Sequence, residues 1–364
     1  MSLDGFDKET MTADLAALVA VESPSGVPDA LARCRAEVSA LGERLLGAAP
    51  AVHGEHLHWG PERPKVLLLG HYDTVWPVGT LARRPFTVIG HRATGPGCFD
   101  MKAGLVQIFH ALARVAEREG GLEGVGVLVT SDEETGSATS RELIEETARE
   151  ATAVLVAEPS ADGALKTSRK GMARYELEVI GRAAHSGLDP EKGVNAGIEL
   201  AHQILAIAAL AAPERGTTVV PSVASAGTTV NTVPAGASLA IDVRAFDRAE
   251  LERVRRWLLA RRPVLPGARL LVREGPSRGP LQRSASFGLF QRASTLAAEL
   301  GLPPLREAAV GGGSDGNLTA ALGIPTLDGL GAVGGGAHSE EEWVDLRSLP
   351  ERAALLAALV TRLR

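Results

Sequence analysis

The sequence predicts an α/β fold with two parts: a three-layer domain whose mostly parallel sheet lies between helices, and an inserted α+β domain. Three observations support this prediction. Short, wholly apolar runs alternate with helical stretches in the first part of the chain. Strictly alternating segments follow between residues 169 and 283, and the first pattern then returns. Strands and helices that alternate along a chain typically form layered sheets.

Length and composition limit the classes of function. With 364 residues, the chain is long enough for two domains. Its 38 basic and 44 acidic side chains give a net charge of −6, which argues against nucleic acid or an anionic membrane as the main partner. The N-terminal segment is acidic and amphipathic and lacks the features of a signal peptide, so we expect a cytoplasmic protein.

The first domain, over residues 1–168 and 284–364, is expected to contain buried strands. Continuous apolar runs without alternation are typical of strands covered on both faces. Apolar residues at three- and four-residue spacing indicate helices between them. The expected helices cover residues 8–21, 29–47, 102–118 and 296–300, and the expected strands cover 66–70, 126–130, 153–157 and 324–327.

The inserted domain, over residues 169–283, has a different pattern. In residues 172–180, Tyr175, Leu177 and Val179 alternate with charged residues, as in a strand with one face in water. The order of segments is βαββαβ, which favours helices on one face of an antiparallel sheet. Further strands are expected over 217–224, 238–245 and 268–273, and helices over 194–210 and 248–261.

Candidate metal ligands follow the buried strands. Because the carboxyl ends of parallel strands share one edge of a sheet, we expect these groups to converge. Crowded carboxylates repel each other unless a cation neutralises them, and a mixture of histidine and carboxylate favours zinc, cobalt or manganese. Two more candidates, Asp100 and His338, lie in or after glycine-rich turns. The strand-end candidates are His71 and Asp73, then Glu133 and Glu134, and finally Glu158.

Each candidate also has an ordinary structural explanation. An acidic residue after a strand is often a helix cap, and a loop histidine needs no ligand. His53, His56 and His58 form a rival cluster, but their alternation is typical of an exposed edge strand with solvated side chains. Lys102 is either a substrate contact or a solvated helix start.

Seven ordered segments resemble the M20 family of dinuclear zinc peptidases, and most closely its glutamate carboxypeptidase branch. The resemblance covers residues 10–360, nearly the whole chain. A single His-x-Asp pair would be weak support, whereas seven segments in the right order are strong support. The segments are GHYDTVWPVGT, GPGCFDMKAG, SDEETGS, AEPS, GRAAHSGLDPEKGVNA, NTVPAGASLAIDVR and GGGSDGN.

The resemblance implies two divalent metal ions per chain. Zinc is the preferred metal, and cobalt and manganese are the alternatives. It implies that Glu133 is the general base that activates a water shared by the ions, and that Asp73 orients a ligand histidine. The implied ligands are Asp100 as the bridge, His71 and Glu158 at one ion, and Glu134 and His338 at the other.

The resemblance also implies that the inserted domain is a lid that forms a homodimer contact. His185 would reach across the dimer to stabilise the oxyanion, while Asn231 and Arg244 would bind the substrate and its carboxylate. Gly312 and Gly313 would offer backbone N–H groups. Arg278, in a turn-rich region, is a further candidate for a carboxylate contact.

The expected activity is therefore that of a metal-dependent amidohydrolase, a carboxypeptidase acting on a small peptide or N-acyl amino acid. It would release a C-terminal amino acid, with glutamate as a candidate. Glu158 supports this because family members that cleave from the amino terminus tend to have aspartate there. The alternatives are an N-acetyl-amino-acid deacylase or dipeptidase of the same family, a metal-retaining binding protein without activity, and a two-metal nuclease or phosphatase.

Overall fold

The computed structural model of the protein describes residues 3–364 and divides into two compact units. The larger unit contains the chain up to Ser168, Leu281–Val310 and Ser314–Arg364. The smaller unit contains Arg169–Pro280 and Gly311–Gly313. The inserted domain therefore ends at Pro280, three residues before the predicted end at residue 283, and Gly311–Gly313 also belongs to the smaller unit.

The strands and helices are numbered in chain order. The strands are β1 (Ala51–His53), β2 (His56–Trp59), β3 (Val66–His71), β4 (Thr87–Ile89), β5 (Arg92–Thr94), β6 (Val125–Thr130), β7 (Ala153–Val156), β8 (Leu165–Arg169), β9 (Gly171–Ile180), β10 (Thr218–Ala226), β11 (Gly236–Ala245), β12 (Arg269–Arg278), β13 (Glu307–Val310), β14 (Thr326–Leu327), β15 (Gly334–Gly335) and β16 (Trp343–Asp345). The helices are α1 (Lys8–Val19), α2 (Pro28–Leu46), α3 (Thr80–Arg83), α4 (Ala103–Glu119), α5 (Arg141–Ala148), α6 (Ala196–Ala208), α7 (Arg248–Leu259), α8 (Arg283–Glu299), α9 (Gly316–Ala321) and α10 (Ser348–Leu363).

A six-stranded mixed sheet forms the centre of the larger unit, in the order β1-β2-β6-β3-β7-β14. Strand β3 pairs in parallel with β6 and β7, and β7 pairs in parallel with β14. Strands β1 and β2 form an antiparallel hairpin, and β2 joins β6 antiparallel. The parallel centre with its antiparallel edge confirms the predicted α/β class.

Helices cover both faces of this sheet, which explains the unbroken apolar runs. Along β3, Val66 and Leu68 belong to the core formed with α1, α2, α4, α8 and α10. Leu67 and Leu69 instead pack with residues of α5 and α9 on the opposite face. Because successive side chains of a strand point to opposite faces, both sets must be apolar when both faces are covered.

Two smaller sheets complete the strand arrangement. One is four-stranded and antiparallel, in the order β15-β16-β5-β4, and the other pairs β13 with β8. The sequence patterns did not predict these short strands, nor the buried helix α10. None of the described helices is long and apolar enough to cross a membrane.

The smaller unit has the strand and helix order βαββαβ. Its antiparallel sheet runs β10-β11-β9-β12, with a core built from the inward residues of β9 and β11 and from α6 and α7. Side-chain caps begin both helices: Asn195 accepts from the N–H groups of Gly197 and Ile198, and Asp247 accepts from Ala249 N–H. Such caps satisfy backbone donors that the first helical turn leaves unpaired.

The prediction that His56-Leu57-His58 forms an exposed edge strand is wrong, whereas His53 is exposed, as predicted. All four residues of β2 are buried, because β2 lies between β1 and β6 and not at the edge of the sheet. The His56 ring nitrogens lie 3.2 Å from the Ser131 hydroxyl and 3.2 Å from the Thr139 hydroxyl. Burial also lowers the pKa of His58. These histidines are therefore part of the interior and not a solvated cluster.

Candidate metal centre and active site

The carboxyl ends of β3, β6 and β7 lie side by side, and each leads into a candidate ligand. Strand β3 ends at His71, and β7 is followed two residues later by Glu158. After β6 the chain forms a single 3-10 turn over Glu133–Thr135. The three strands are parallel neighbours, so these groups meet at one edge of the sheet.

His71 is buried and its two ring nitrogens face different partners. Nδ1 lies 2.9 Å from the backbone oxygen of Asp73 and 3.3 Å from Asp73 Oδ1. Nε2 lies 3.3 Å from Glu158 Oε1 and 3.5 Å from Asp100 Oδ1. The contact with Asp73 fixes the ring orientation and leaves Nε2 directed at two carboxylates.

Asp100 lies between two imidazoles. Its Oδ2 is 3.4 Å from His338 Nε2, while Oδ1 faces His71. His338 is half exposed, and its Nε2 is also 3.1 Å from Glu134 Oε2. One carboxylate therefore connects two pairs of groups, the arrangement expected of a bridging ligand.

The turn that carries Glu133 and Glu134 is held by a buried carboxylate. Asp73 is fully buried, and its two oxygens accept from the backbone N–H groups of Glu133 and Glu134, each at 3.2 Å. Its Oδ2 also accepts from the Ser25 hydroxyl at 2.6 Å. Asp73 thus couples the orientation of His71 to the position of the neighbouring glutamates.

A second buried carboxylate, Glu342, holds the turn around Asp100. Its Oε1 accepts from the N–H groups of Phe99 at 3.0 Å and Asp100 at 3.1 Å. Its Oε2 accepts from Gly97 N–H at 2.9 Å and from the Trp76 indole N–H at 2.8 Å. Four donors converge on one carboxylate, and burial raises its pKa despite them. Nothing in the sequence pattern around Glu342 indicates this role.

The geometry fits divalent ions. Nitrogen and oxygen ligands of tetrahedral zinc lie about 2.0–2.1 Å from the ion, which places neighbouring ligand atoms about 3.3 Å apart. The separations given above, between 3.1 and 3.5 Å, match that spacing. Among residues 3–364, His71 Nε2 and Asp100 Oδ1 are buried without a hydrogen-bond partner. Such orphaned ligand atoms suit a cation.

Two groups of ligand atoms are compact enough to hold an ion. His71, Asp100 and Glu134 form one group, and His71, Glu133 and Glu158 form the other, each within 4.8 Å. All six predicted metal and base residues therefore come together, since His338 contacts both Asp100 and Glu134.

The charges in this cluster favour a positive species. Hydrogen bonds with Asp100 and Glu134 raise the pKa of His338 to about 10. Burial lowers the pKa of His71, but the nearby carboxylates of Asp100, Asp73 and Glu158 outweigh this effect and hold that pKa well above its usual value. Burial raises the pKa of Glu134. Protons on the imidazoles thus offset the crowded carboxylates, a role that divalent cations can take over.

Lys102 has neither of its two expected roles. It is buried, and its Nζ donates to the backbone oxygens of Leu18 at 3.0 Å and Val21 at 2.7 Å. Its partners are therefore the end of α1 and the following loop. A different lysine approaches the cluster: Lys166 Nζ lies 4.0 Å from Glu158 Oε2.

His185 and Asn231 lie on adjacent loops of the smaller unit, and both are exposed. The Asn231 backbone oxygen accepts from Ser186 N–H at 3.1 Å. His185 Nδ1 accepts from the N–H groups of Gly187 at 3.1 Å and Leu188 at 3.2 Å. These contacts occupy Nδ1 as an acceptor, so the neutral ring presents an N–H at Nε2.

Arg244 and the two glycines also belong to the smaller unit. Arg244, on β11, is partly exposed, and its Nε donates to Asp242 Oδ1 at 2.9 Å. The backbone oxygens of Gly312 and Gly313 accept hydrogen bonds from Arg169 Nη1 at 3.3 and 3.0 Å. Both glycines are exposed, and at Gly312 there is open space where a side chain would stand.

The family is decided by comparison with known proteins. Residues 67–362 match Peptidase family M20/M25/M40. The chain belongs to this family. It is 34% identical over 331 residues to carboxypeptidase G2 from Pseudomonas sp. (strain RS-16), covering 88% of this chain and 77% of that protein. It is also 36% identical over 143 residues to acetylornithine deacetylase from Salmonella arizonae, covering 38% of this chain and 36% of that protein.

Solved structures support the same fold for this M20 protein. Aminopeptidase PepT from Bacillus cereus has a TM-score of 0.77 at 21% identity and covers 99% of both chains. An M20 family metallo-carboxypeptidase from Sulfolobus solfataricus has a TM-score of 0.68 at 16% identity, with 98% and 99% covered. Identities this low establish the shared fold alone. The resemblance stated from the sequence is confirmed at the level of the family.

Proposed function

We propose that this M20 family protein is a metal-dependent carboxypeptidase. It hydrolyses the amide bond of an N-acyl or peptidyl amino acid and releases the C-terminal amino acid, with glutamate as the first candidate. The observation that carries this proposal is the cluster of His71, Asp100, Glu134, Glu158 and His338 with Glu133 beside it. The similarity to carboxypeptidase G2 over most of the chain supports the choice of substrate class.

Metal binding, proton transfer and positioning are assigned to different residues of the cluster. His71, Asp100, Glu134, Glu158 and His338 would hold two divalent ions, preferably zinc, with Asp100 shared, His71 and Glu158 serving one ion, and Glu134 and His338 serving the other. When bound, the ions supply Lewis acidity that polarises the amide carbonyl and lowers the pKa of the attacking water. Glu133 takes the proton of that water and hands it to the leaving nitrogen. Asp73 positions the ligand histidine and the turn that carries the base.

Side chains of the smaller unit are proposed to bind the substrate. His185 presents an Nε2–H donor that suits a developing oxyanion. Besides the N–H group that is bonded to Asp242, the Arg244 guanidinium has terminal N–H groups that can donate two parallel hydrogen bonds to a substrate carboxylate. Asn231 and the backbone N–H groups of Gly312 and Gly313 add polar contacts.

A homodimer through the smaller unit is also part of the proposal. Strand β10 lies at one edge of its sheet and presents Val220 and Val223, which are 49% and 68% exposed. Helix α6 presents Ile198 and Leu205, which are 51% and 73% exposed. An unpaired edge strand beside exposed apolar residues is typical of a surface that pairs with a second copy. The cytoplasmic location stays a prediction from the sequence.

An N-acetyl-amino-acid deacylase is the second candidate, because part of the chain is similar to acetylornithine deacetylase. Three substrates distinguish the possibilities when offered to zinc- or cobalt-loaded protein: an N-acyl-glutamate, an N-acetyl derivative of a different amino acid, and a phosphodiester. We expect kcat/KM to be highest for the N-acyl-glutamate and no phosphodiester cleavage. A preference for the N-acetyl compound would favour the deacylase, and turnover of the phosphodiester alone would contradict both amidohydrolase proposals.

We expect two divalent ions per chain, because five ligands surround two positions that share Asp100. Native mass spectrometry of metal-replete protein measures this number directly. Asp100→Asn should reduce binding at both positions, whereas Asp29→Asn, an exposed residue of α2, should leave it unchanged. A number that never exceeds one under replete conditions would contradict the two-metal proposal.

A further inference from the structure

Asp315 is a buried aspartate that contacts both ends of the segment 130–137. This segment, the base loop, carries Glu133 and Glu134. Asp315 directly precedes the short helix α9, and only 4% of its surface is exposed. An aspartate at such a place commonly caps the helix. Within the described residues, however, its side chain makes no capping hydrogen bond to α9. Its carboxylate therefore has a different role.

The two carboxylate oxygens of Asp315 accept hydrogen bonds from two hydroxyl groups. The Thr130 hydroxyl donates to Oδ2 at 2.9 Å, and the Ser137 hydroxyl donates to Oδ1. Thr130 is the last residue of β6, and Ser137 follows the turn Glu133–Thr135 by two residues. One carboxylate thus joins the first and last residues of the base loop, whereas Asp73 holds the backbone of its middle.

Ser137 has an unusual backbone conformation. Its φ of 59° lies in the left-handed region, which is unfavourable for serine because the Cβ atom crowds the backbone, and its side chain is fully buried. The loop closes on itself here, since Ser137 N–H donates to the backbone oxygen of Asp132 at 2.8 Å. Such a conformation persists only where surrounding contacts hold it. The hydroxyl bond to Asp315 is one of these contacts.

The turn that contains Asp315 is itself fixed by buried partners. The Ser314 hydroxyl donates to Asp328 Oδ2 at 2.5 Å, and Ser314 N–H donates to Asn317 Oδ1 at 3.0 Å. Ser314, Asn317 and Asp328 are all fully buried. A carboxylate on a backbone held in this way is a rigid anchor for the groups bonded to it.

We propose that Asp315 is a positioning residue that sets the place of Glu133 relative to the metal centre. It acts through the hydroxyl groups of Thr130 and Ser137, so it needs no contact with the substrate or the ions. A general base must lie within hydrogen-bonding reach of the water that it activates, and a misplacement of about 1 Å can reduce the rate by about 10²-fold. The catalytic part of this proposal rests on the proposed function, whereas the anchoring of the base loop does not.

Ser137→Gly tests the contact without a backbone penalty, because glycine readily adopts a φ of 59° but has no hydroxyl. We expect kcat per metal-loaded chain to fall by about 10–100-fold, with KM within about threefold of the wild type. Thr130→Val, which removes the other hydroxyl, should act in the same direction. Ser284→Ala, at an exposed serine of α8, should leave kcat unchanged. A purely structural role would lower the thermal midpoint but not kcat per metal-loaded chain.

A double variant tests whether Asp315 and Ser137 act through one link. Asp315→Ala removes both contacts, so adding Ser137→Gly to it should reduce kcat no further. Amide hydrogen exchange of the base loop, read by mass spectrometry, does not depend on activity. Exchange should be about tenfold faster in Ser137→Gly than in the wild type or Ser284→Ala, because the loop opens more often.

Unchanged exchange in Ser137→Gly and Thr130→Val would overturn the anchoring of the base loop. Faster exchange with an unchanged kcat would overturn the positioning of Glu133, and so would fully additive losses of kcat in the double variant. A wild-type protein that hydrolyses no amide substrate would instead contradict the proposed function. The exchange comparison would then still decide whether Asp315 anchors the loop.

Discussion

Replacing Glu133 with glutamine should reduce kcat by about 10²–10⁴-fold while the metal ions remain bound. Glutamine keeps the shape of the side chain but cannot accept the proton of the attacking water. The backbone N–H of residue 133 still donates to Asp73, so the turn should stay in place. Steady-state kinetics and metal content measured on the same preparation check both halves of this expectation.

Glu134 offers a matched control, because it is the next residue in the same turn and takes the same substitution. Its carboxylate contacts His338 and, in our proposal, binds an ion. Glu134→Gln should therefore lose metal as well as activity, whereas Glu133→Gln should lose activity alone. If Glu133→Gln kept more than half of the wild-type kcat, Glu133 would be a structural neighbour and not the base.

The Glu133→Gln variant also tests the proposed contribution of His185 across a dimer. Mixed with His185→Ala subunits, it should form heterodimers in which one site has both an intact base and an intact histidine. Activity should then rise above that of either variant, up to about half of the wild-type dimer. Mass spectrometry must confirm subunit exchange. Fully exchanged mixtures without added activity would mean that His185 acts within its own chain or not at all.

Replacing Glu342 with glutamine should weaken metal binding by about 10–100-fold, although Glu342 does not itself contact the metal cluster. Each carboxylate oxygen accepts two N–H groups, and the amide nitrogen of glutamine cannot accept them. Two buried donors would lose their partner, which costs about 1–3 kcal/mol each. The turn that positions Asp100 would loosen. Competition with a chelator measures the affinity.

Glu341→Gln is the control for this prediction, since Glu341 is adjacent in sequence and exposed. It should bind metal as the wild type does. Excess metal should restore part of the kcat of Glu342→Gln, because the catalytic groups remain present. An affinity within twofold of the wild type would show that the four hydrogen bonds to Glu342 do not position Asp100.

The sequence was sufficient for the α/β class because both faces of the central strands are covered. Val66 to Leu69 read as one apolar run, and the structure packs alternate residues into two separate cores. The same reasoning failed at His56–Trp59. There the alternation of polar and apolar residues indicated a solvent-exposed face. In the structure, β2 pairs with β6, and His56 contacts Ser131 and Thr139, so the strand is buried. Local pattern does not reveal such distant partners.

The cluster was predictable because chemistry and topology agree: ligand-type residues follow parallel strands that end at one edge. Glu342 was missed because it lies in a run of three glutamates, a pattern typical of an exposed loop. Only its contacts with residues 97–100, more than 240 positions earlier, bury it. Lys102 was misread for the same reason, since its partners are backbone oxygens at the end of α1.

The smaller unit is inserted into the sequence of the larger one, and this affects how the chain folds during translation. The smaller unit is almost continuous in sequence, so it can fold soon after leaving the ribosome. The larger unit cannot, because α8 and α10, which cover one face of its sheet, are translated only after the whole insertion. During that interval the sheet lacks β14, and the face packed against α1, α2 and α4 lacks α8 and α10, so part of its apolar surface stays exposed and favours aggregation.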